Sequence, residues 1–293
     1  MRFLAVLLIL LAGLLLYIWL KKKTILAIEA FQQAETFSLK LEDDIYDDFY
    51  CDIYDRLMLP DERVEYEMKL LEPFLESSQK EKTSKILDIG SGTGSLVHRL
   101  KKEGYDVVGV DKSKAMVERG RGLLLGNVED PMLFEKNEFS MVLCLDFTIY
   151  EMKDKSRFFK NVYGWLGRGG LFILHLVEKD SFNPIVPGAK PEVLDSIEQL
   201  GPERIKKTII DFGGFVYTSD YVYGKDTEVV HKESFVDNVS QNVRQNELTL
   251  YMEDNEKTIK KCQRAGFRLR SVLSMADGPS RDAAQQLAVF ERE

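Results

Sequence analysis

The spacing of apolar positions changes repeatedly along the chain, and each change marks the end of one predicted element. Ile86, Leu87 and Ile89 form a short continuous apolar run, which is typical of a strand buried on both faces. Residues 95–103 then place apolar side chains at helical spacing among charged ones, and residues 106–110 form a second apolar strand. The order strand, helix, strand predicts a βαβ unit with a parallel sheet.

Helical and strand-like patterns also lie on both sides of this unit. Before it, residues 43–58 and 64–75 have the spacing of two helices. After it, the pattern predicts a strand over 139–146, a helix over 156–166, a strand over 171–177, a helix over 253–265, and two final strands over 269–275 and 285–290 that pair as a hairpin.

A long segment, residues 180–252, precedes the last helix. It contains strand-like stretches over 227–236 and 247–252. A further stretch carries four rings on one face of a period-two pattern: Phe215, Tyr217, Tyr221 and Tyr223. Two interpretations of this aromatic face stay open. It holds an apolar group or an amine by cation–π attraction, or it is simply the buried side of an extra sheet.

The amino-terminal residues have a different pattern. Residues 3–20 contain no charge, and this run ends at aromatic residues followed by three lysines at 21–23. At ~1.5 Å per residue, such a helix just spans a hydrocarbon core of roughly 30 Å. We therefore expect a transmembrane anchor over 1–23, retained rather than cleaved, in a single-pass membrane protein whose main domain is cytoplasmic. Residues 24–40 are expected to form a linker or collar helix.

Composition narrows the classes of partner. The chain has 293 residues, 44% hydrophobic and 30% charged, which is typical of a globular domain with attachments. Its net charge of −8 and the lack of a basic stripe disfavour a nucleic-acid partner, which would require phosphate neutralisation. The three cysteines, Cys51, Cys144 and Cys262, lack metal-ligand spacing, so we expect free thiols and no metal site.

A glycine cluster follows the first buried strand. Gly90, Gly92 and Gly94 alternate with small residues, and Asp111 ends the next strand 21 positions after Gly90. Small residues let the backbone approach a ligand, and the acid can accept hydrogen bonds from a ribose. The dinucleotide fingerprint would require its third small glycine-like position at residue 95, which is Ser95 here. The unit therefore predicts a nucleotide site of a different kind.

This turn, preceded by Asp88, resembles motif I of the class I S-adenosylmethionine-dependent methyltransferases, and Val-Gly-Val-Asp at 108–111 resembles their second motif. The resemblance runs from about residue 46 to residue 293. It implies an α/β fold with a doubly wound seven-stranded sheet, mostly parallel with the last strand antiparallel, and helices on both faces. The methyltransferase domain would occupy 41–293, with an antiparallel β insertion on the substrate side at about 180–252.

The resemblance also implies S-adenosylmethionine as cofactor and assigns positions around it. The glycine turn would lie against the methionine part, and Asp111 would hold both ribose hydroxyls. The positions that match a cofactor site are Asp88, Gly90, Ser91, Gly92, Gly94, Asp111, Lys112, Asn127, Val128, Leu145 and Asp146.

Two positions depart from the family pattern. Asn127 stands where the family usually has an acid that contacts the adenine amino group, and Asp130 is too far along the chain to replace it. An amide can still accept that hydrogen bond through its carbonyl oxygen. Ser140 replaces the first acid of the family's fourth strand.

The catalytic residues stay unknown at this level. Side chains at the carboxyl ends of the strands over 139–146 and 171–177 would face the substrate, so Tyr150, Glu151 and His175 are candidate bases. The alternatives are a surface turn for Tyr150 and Glu151, and a hydrogen-bonded histidine within the strand for His175. Asp146 could serve only the cofactor.

The sequence thus predicts a membrane-anchored methyltransferase that acts on a small-molecule or lipid-like acceptor, with membrane contact through residues 3–20. The alternatives are a catalytically retired cofactor-binding domain that acts as an interaction protein, and a protein methyltransferase. A nicotinamide-dependent reductase is rejected, because Tyr221 and Lys225 lie in a strand-like stretch where four residues span about 13 Å.

Overall fold

The computed structural model describes residues 37–78, 84–182, 207–278 and 282–293, together with Leu14, Tyr17 and Val186. Its helices are α1 (Asp48–Met58), α2 (Pro60–Ser78), α3 (Ser95–Lys102), α4 (Lys114–Gly120), α5 (Lys155–Trp165) and α6 (Asn255–Arg264). Its strands are β1 (Phe37–Leu41), β2 (Lys85–Ile89), β3 (Asp106–Asp111), β4 (Leu124–Leu125), β5 (Phe139–Cys144), β6 (Leu166–Val177), β7 (Lys207–Asp211), β8 (Phe215–Tyr223), β9 (Glu228–Asp237), β10 (Val243–Tyr251), β11 (Phe267–Ser274) and β12 (Gln285–Arg292).

Seven strands form the main sheet, in the order β11-β12-β6-β5-β2-β3-β4. The strands from β6 to β4 are parallel, whereas β12 is antiparallel to both β6 and β11. Residues of β2 alternate between two buried clusters: Leu87 packs with α1 and α5 side chains, and Ile86 with those of α2 and α3. Helices thus cover both faces, and the predicted fold class is confirmed, including the hairpin of the last two strands.

Four strands of the predicted β insertion, β7 to β10, form a second sheet together with β1, in the order β1-β10-β9-β8-β7. Its members are antiparallel except β1, which runs parallel to β10. Residues 37–40 therefore lie in a strand, not in the expected collar helix. Phe37, Leu39 and Leu41 alternate with polar residues, which is the period-two pattern of a strand. The backbone of this segment pairs with β10. Residues 24–36 lie outside the described residues.

The predicted single-pass membrane protein is contradicted. No helix in the part of the chain that the structure describes is both long and apolar enough to cross a bilayer. The stretch that prompted the prediction, residues 3–20, falls outside the described residues apart from Leu14 and Tyr17.

Hydrogen bonds connect the segment before α1, residues 45–47, to both sheets. Arg244 of β10 donates two hydrogen bonds of 2.9 Å to the carboxylate of Asp47 and a third, also 2.9 Å, to the carbonyl of Ile45. Ser113, at the start of α4, donates to the carbonyl of Tyr46 at 2.7 Å. Because the segment bridges the sheets, it holds α1 over the edge of the main sheet where the site lies.

Candidate active site

A cavity of about 710 Å³ lies at the carboxyl ends of β2, β3, β5 and β6. Ligand sites in open α/β sheets form at this edge. Gly90, Ser91, Gly92 and Asp111 form one wall, whereas the predicted cofactor position Gly94 does not line the cavity. Side chains of α1 and α2 form a second wall, and residues of β8, β9 and β10 form a third. One enclosed space therefore adjoins both the predicted cofactor turn and the insertion.

The glycine turn has a backbone that other residues would strain. Gly90, Gly92 and Gly94 have φ angles of +68°, +54° and +79°, which lie in the left-handed region. A Cβ at Gly90 would stand 2.5 Å from side-chain atoms of Thr148. Position 90 therefore favours glycine for lack of space as well as for its backbone conformation. Ser91 donates its hydroxyl to the Asp88 carbonyl at 2.9 Å and stabilises the turn from within.

Asp111 lies beside the turn with both carboxylate oxygens facing backbone donors. Oδ2 accepts from the Gly92 amide at 2.9 Å, and Oδ1 accepts from the Ser113 amide at 2.8 Å. Burial raises the pKa of Asp111, while these two amides act in the opposite direction. Each oxygen keeps one further acceptor site. The acid can therefore hold two donors of a ligand while its own position is set by the loop.

Asp88, Glu67 and Arg63 form a buried charged group next to the turn. Asp88 is only 4% exposed, and burial, followed by repulsion from Glu67, raises its pKa to about 7. The Arg63 guanidinium forms an ion pair with Asp146, and its Nε lies 3.7 Å from a Glu67 oxygen. That Nε is buried without a hydrogen-bond partner. The sequence analysis missed Arg63 and Glu67, although their i, i+4 spacing on α2 was a usable signal.

Lys112 and Glu151 are brought together at the opening of the cavity. Lys112 Nζ lies 2.9 Å from Glu151 and 2.6 Å from Asp43, and the Tyr46 hydroxyl donates to Glu151 at 2.7 Å. Glu151, a candidate base, is thus held by a cation and a hydroxyl. Because both partners hold the Glu151 carboxylate in place, Glu151 is better suited to position Lys112 and Tyr46 than to accept a proton.

Tyr150 lies outside the site. Its side chain is fully buried, and its hydroxyl accepts from the Val177 amide at 2.8 Å. The reason is a sharp turn after β5, where Asp146 and Phe147 both have positive φ angles, +49° and +66°. The following 3-10 turn directs Tyr150 into the core and leaves Glu151 at the cavity. Sequence position alone could not separate these neighbours.

His175 lies on the cavity wall and is 5% exposed. Burial, together with the nearby Arg63 charge, lowers its pKa to about 4, while a hydrogen bond with Gln285 opposes that shift. The imidazole is therefore neutral at pH 7. Its Nε2 is buried and has no hydrogen-bond partner. A neutral ring offers the cavity a lone pair or an N–H at that atom.

Three further predicted cofactor positions line the cavity, whereas Ser140, a departure from the family pattern and not a predicted cofactor position, lies elsewhere. Val128, Leu145 and Asn127 line the cavity near Asp111, and Asn127 Oδ1 accepts from the Glu129 amide at 3.0 Å. That oxygen keeps one acceptor site for a ligand. Ser140, in contrast, is near the amino end of β5, where it donates to the Lys85 carbonyl at 3.2 Å. Its departure from the family pattern does not alter the cavity.

The insertion brings Glu233 and His231 to the site, which were not predicted there, together with two rings of the predicted aromatic face, Tyr217 and Tyr221. Glu233 is 4% exposed, and one of its oxygens accepts from Tyr50 at 3.0 Å and from Tyr217 at 2.7 Å. Tyr221 stacks on His231 with ring centroids 4.3 Å apart. All five residues line the cavity. Of the four rings predicted to share a face, Tyr217 and Tyr221 line the cavity, whereas Phe215 and Tyr223 do not.

Comparisons with known proteins agree with this geometry. Residues 87–174 match a family described as a methyltransferase domain. Carboxy-S-adenosyl-L-methionine synthase from Nautilia profundicola is 25% identical over 138 residues, which are 43% of this chain and 57% of that protein. The match thus spans little more than half the length of that relative.

Solved structures share the fold. The CcbJ methyltransferase from Streptomyces caelestis superposes with a TM-score of 0.64 at 15% identity, covering 86% of this chain and 99% of that one. An S-adenosylmethionine-dependent methyltransferase from Clostridium acetobutylicum gives 0.59 at 16% identity, covering 83% and 97%. An S-adenosylmethionine-bound amino pentose methyltransferase from Micromonospora echinaspora gives 0.52 at 18% identity, covering 78% and 92%.

The architecture is therefore the Rossmann-like fold of S-adenosylmethionine-dependent methyltransferases.

Proposed function

We propose that the chain is a methyltransferase that transfers the methyl group of S-adenosylmethionine to a small-molecule acceptor. One observation carries the proposal: a single cavity has the glycine turn and Asp111 on one side and the insertion on the other. Such a space can hold a methyl donor and an acceptor together while it excludes water.

The residues on the main-sheet side suit the donor. The positive φ angles of Gly90 and Gly92 bring bare backbone to the cavity wall, where a Cβ would intrude. Asp111 keeps two free acceptor sites for the ribose hydroxyls, and Val128 and Leu145 offer apolar contact to the adenine ring. The buried carboxyl of Asp88 complements the cationic methionine end.

The bound cofactor supplies an electrophilic methyl group on a sulfonium. The chain itself contributes mainly position, because methyl transfer needs an in-line approach of the acceptor in a closed pocket. His175 is the remaining base candidate whose nitrogen is unpartnered on the cavity wall. Its Nε2 is suited to orient the acceptor through one hydrogen bond.

Calorimetric titration of the full chain with S-adenosylmethionine tests the donor site. Asp111→Asn keeps one carbonyl oxygen for the neighbouring amide but loses the charge, and we expect affinity to fall about a hundredfold. Asp130→Asn is the matched control. Asp130 accepts from the Met132 amide at 2.9 Å, in the same i to i+2 geometry, but lies away from the cavity. Its affinity should stay within about twofold of wild type.

Transfer itself is tested with methyl-labelled cofactor and a cell extract, followed by detection of labelled small molecules. Labelled product from the wild-type chain, lost in Asp111→Asn, would support the proposal. Tight cofactor binding with no labelled acceptor in any fraction would favour a retired domain. Equal affinity of Asp111→Asn and wild type would remove Asp111 from the site.

A further inference from the structure

Glu233 of β9 is a buried carboxyl group whose hydrogen-bond partners in the described part of the chain carry no charge. Its Oε1 accepts from the hydroxyls of Tyr50 and Tyr217, and its Oε2 accepts from the Asn246 amide at 3.0 Å. All three donors are neutral. In the described part of the chain Glu233 forms no ion pair. The basic residues on its own strand and on the adjacent one, Lys232 and Arg244, pair with Glu247 and Asp47 instead.

A buried carboxylate without a cationic partner destabilises the protein unless a ligand supplies the opposite charge. Three donors hold the Glu233 carboxylate in one orientation, and Oε2 keeps an acceptor site. The side chain also lines the cavity, so Glu233 can meet a ligand that enters it. These properties define a recognition point for a cationic hydrogen-bond donor.

Aromatic rings surround this carboxylate on the cavity side. Tyr50 of α1 and Tyr217 and Tyr221 of β8 line the cavity, and His231 is fixed against Tyr221 and hydrogen-bonded to Ser219 at 2.9 Å. Tyrosine faces attract cations through the ring quadrupole, and the attraction grows when water is excluded. The rings and the carboxylate therefore both favour a ligand that carries a positive charge.

The rest of the cavity favours the same charge. Among the described residues that line it, carboxylates outnumber cations, and the cations are Arg63, Lys112 and Lys153. The first two are paired with Asp146 and Glu151. An independent sign of a polar ligand is the unpartnered Nε2 of His175 on the same cavity.

We propose that Glu233, with the rings of Tyr50, Tyr217 and Tyr221, binds the ammonium group of an amine acceptor. This inference rests on the proposed methyltransferase function and names its substrate class. Glu233 is then a specificity-determining residue, and the acceptor atom is nitrogen.

The reaction balances with Glu233 as the proton acceptor. The bound ammonium gives one proton to the carboxylate, which frees the nitrogen lone pair. That pair forms the bond to the methyl carbon while the carbon–sulfur bond breaks, and its electrons stay on sulfur. The products are a methylated ammonium, the neutral thioether S-adenosylhomocysteine and a proton on Glu233, which is released to solvent.

The test uses the full chain saturated with S-adenosylhomocysteine and two probes of equal shape, benzylammonium and benzyl alcohol. We expect calorimetry to show benzylammonium binding at least about tenfold more tightly. Glu233→Gln should abolish that preference and leave S-adenosylhomocysteine affinity unchanged. Glu247→Gln is the matched control, since Glu247 is on the same sheet and pairs with Lys232 at 2.8 Å. It should retain the preference.

A second variant guards against misfolding of Glu233→Gln, which far-ultraviolet circular dichroism would detect. Tyr221→Leu removes one ring but no contact of the carboxylate, and we expect the ammonium preference to fall about threefold. Equal binding of the two probes, binding of neither, or an unchanged preference in both variants would overturn the inference. Loss of S-adenosylhomocysteine affinity in Glu233→Gln would also overturn it, by placing Glu233 in the donor site. Failure of wild type to bind S-adenosylhomocysteine would instead overturn the proposed function on which it rests.

Discussion

The cavity has two sides that are built by different means: a proposed donor side, with the glycine turn and Asp111, and a proposed acceptor side, with Glu233 and the tyrosines around it. The donor side is local: the glycine turn and Asp111 lie within one βαβ unit, and the Gly92 amide bonds to an acid 19 residues away. The acceptor side is assembled from distant parts, since Tyr50 reaches Glu233 across 183 residues. Backbone geometry determines the first wall, whereas side chains determine the second. The donor wall therefore tolerates few substitutions, and the acceptor wall can change specificity without a change in fold.

The largest expected effect is on the donor wall, from Gly90→Ala. The new Cβ would meet Thr148 at 2.5 Å with the backbone at φ +68°, so we expect a loss of about 3 kcal/mol in unfolding free energy and no measurable cofactor binding. Gly104→Ala is the matched control. It has φ +92° but nothing within 4 Å, and should lose roughly 1 kcal/mol.

Urea unfolding and calorimetry would measure both glycine variants. Equal losses of stability, with cofactor binding retained in Gly90→Ala, would show that the close approach to Thr148 is not what shapes the donor wall.

An intermediate effect concerns the electrostatics of the donor wall. The free protein binds a proton on Asp88 up to about pH 7, against an ordinary value of 3.8. Because the folded-state pKa is raised, stability from this group is present below pH 3.8 and is lost as pH rises through 7. A cationic ligand favours the ionised form, so S-adenosylmethionine affinity should rise by about tenfold per unit as pH approaches 7 and then level off.

Asp88→Asn should remove the pH dependence of both cofactor affinity and stability. By calorimetry, affinity should stay within about twofold between pH 6 and 8. The unfolding free energy should vary by no more than about 1 kcal/mol over the same range. An unchanged pH slope in this variant would assign the titration to another carboxyl of the group, such as Glu67.

The smallest effect on activity is expected from Tyr150→Phe, which tests whether this buried residue, outside the cavity, is catalytic. The variant leaves the buried Val177 amide without its acceptor, so urea unfolding should show a loss of about 1–3 kcal/mol. The initial rate of labelled-methyl incorporation should stay within about twofold of wild type, because the hydroxyl does not face the cavity. A hundredfold slower rate in a variant of normal stability would restore Tyr150 as a catalytic residue.

The comparison also explains what could be read from the sequence. The main-sheet fold, the glycine turn and Asp111 were predictable because spacing and strand periodicity determine local backbone geometry. Glu233 was not, since nothing in a period-two pattern shows which polar residue faces a cavity after β8, β9 and β10 pair. Tyr150 and Glu151 are adjacent, yet the positive φ angles of Asp146 and Phe147 give them opposite directions. A linker or collar helix was predicted over residues 24–40, but residues 37–41 form a strand that pairs with β10. Their partner lies far along the chain, so the local pattern could not reveal the pairing.

The pairing of β1 with β10 has a consequence for biosynthesis. Arg244 closes its contacts with Asp47 and Ile45 across 197 and 199 residues. During translation, β1 therefore leaves the ribosome long before the strand that completes it, and its apolar Phe37, Leu39 and Leu41 stay unpaired in the meantime. Closing so long a loop is slow, so the last event in maturation should be the docking of this first strand, after the nucleotide-binding half has already folded.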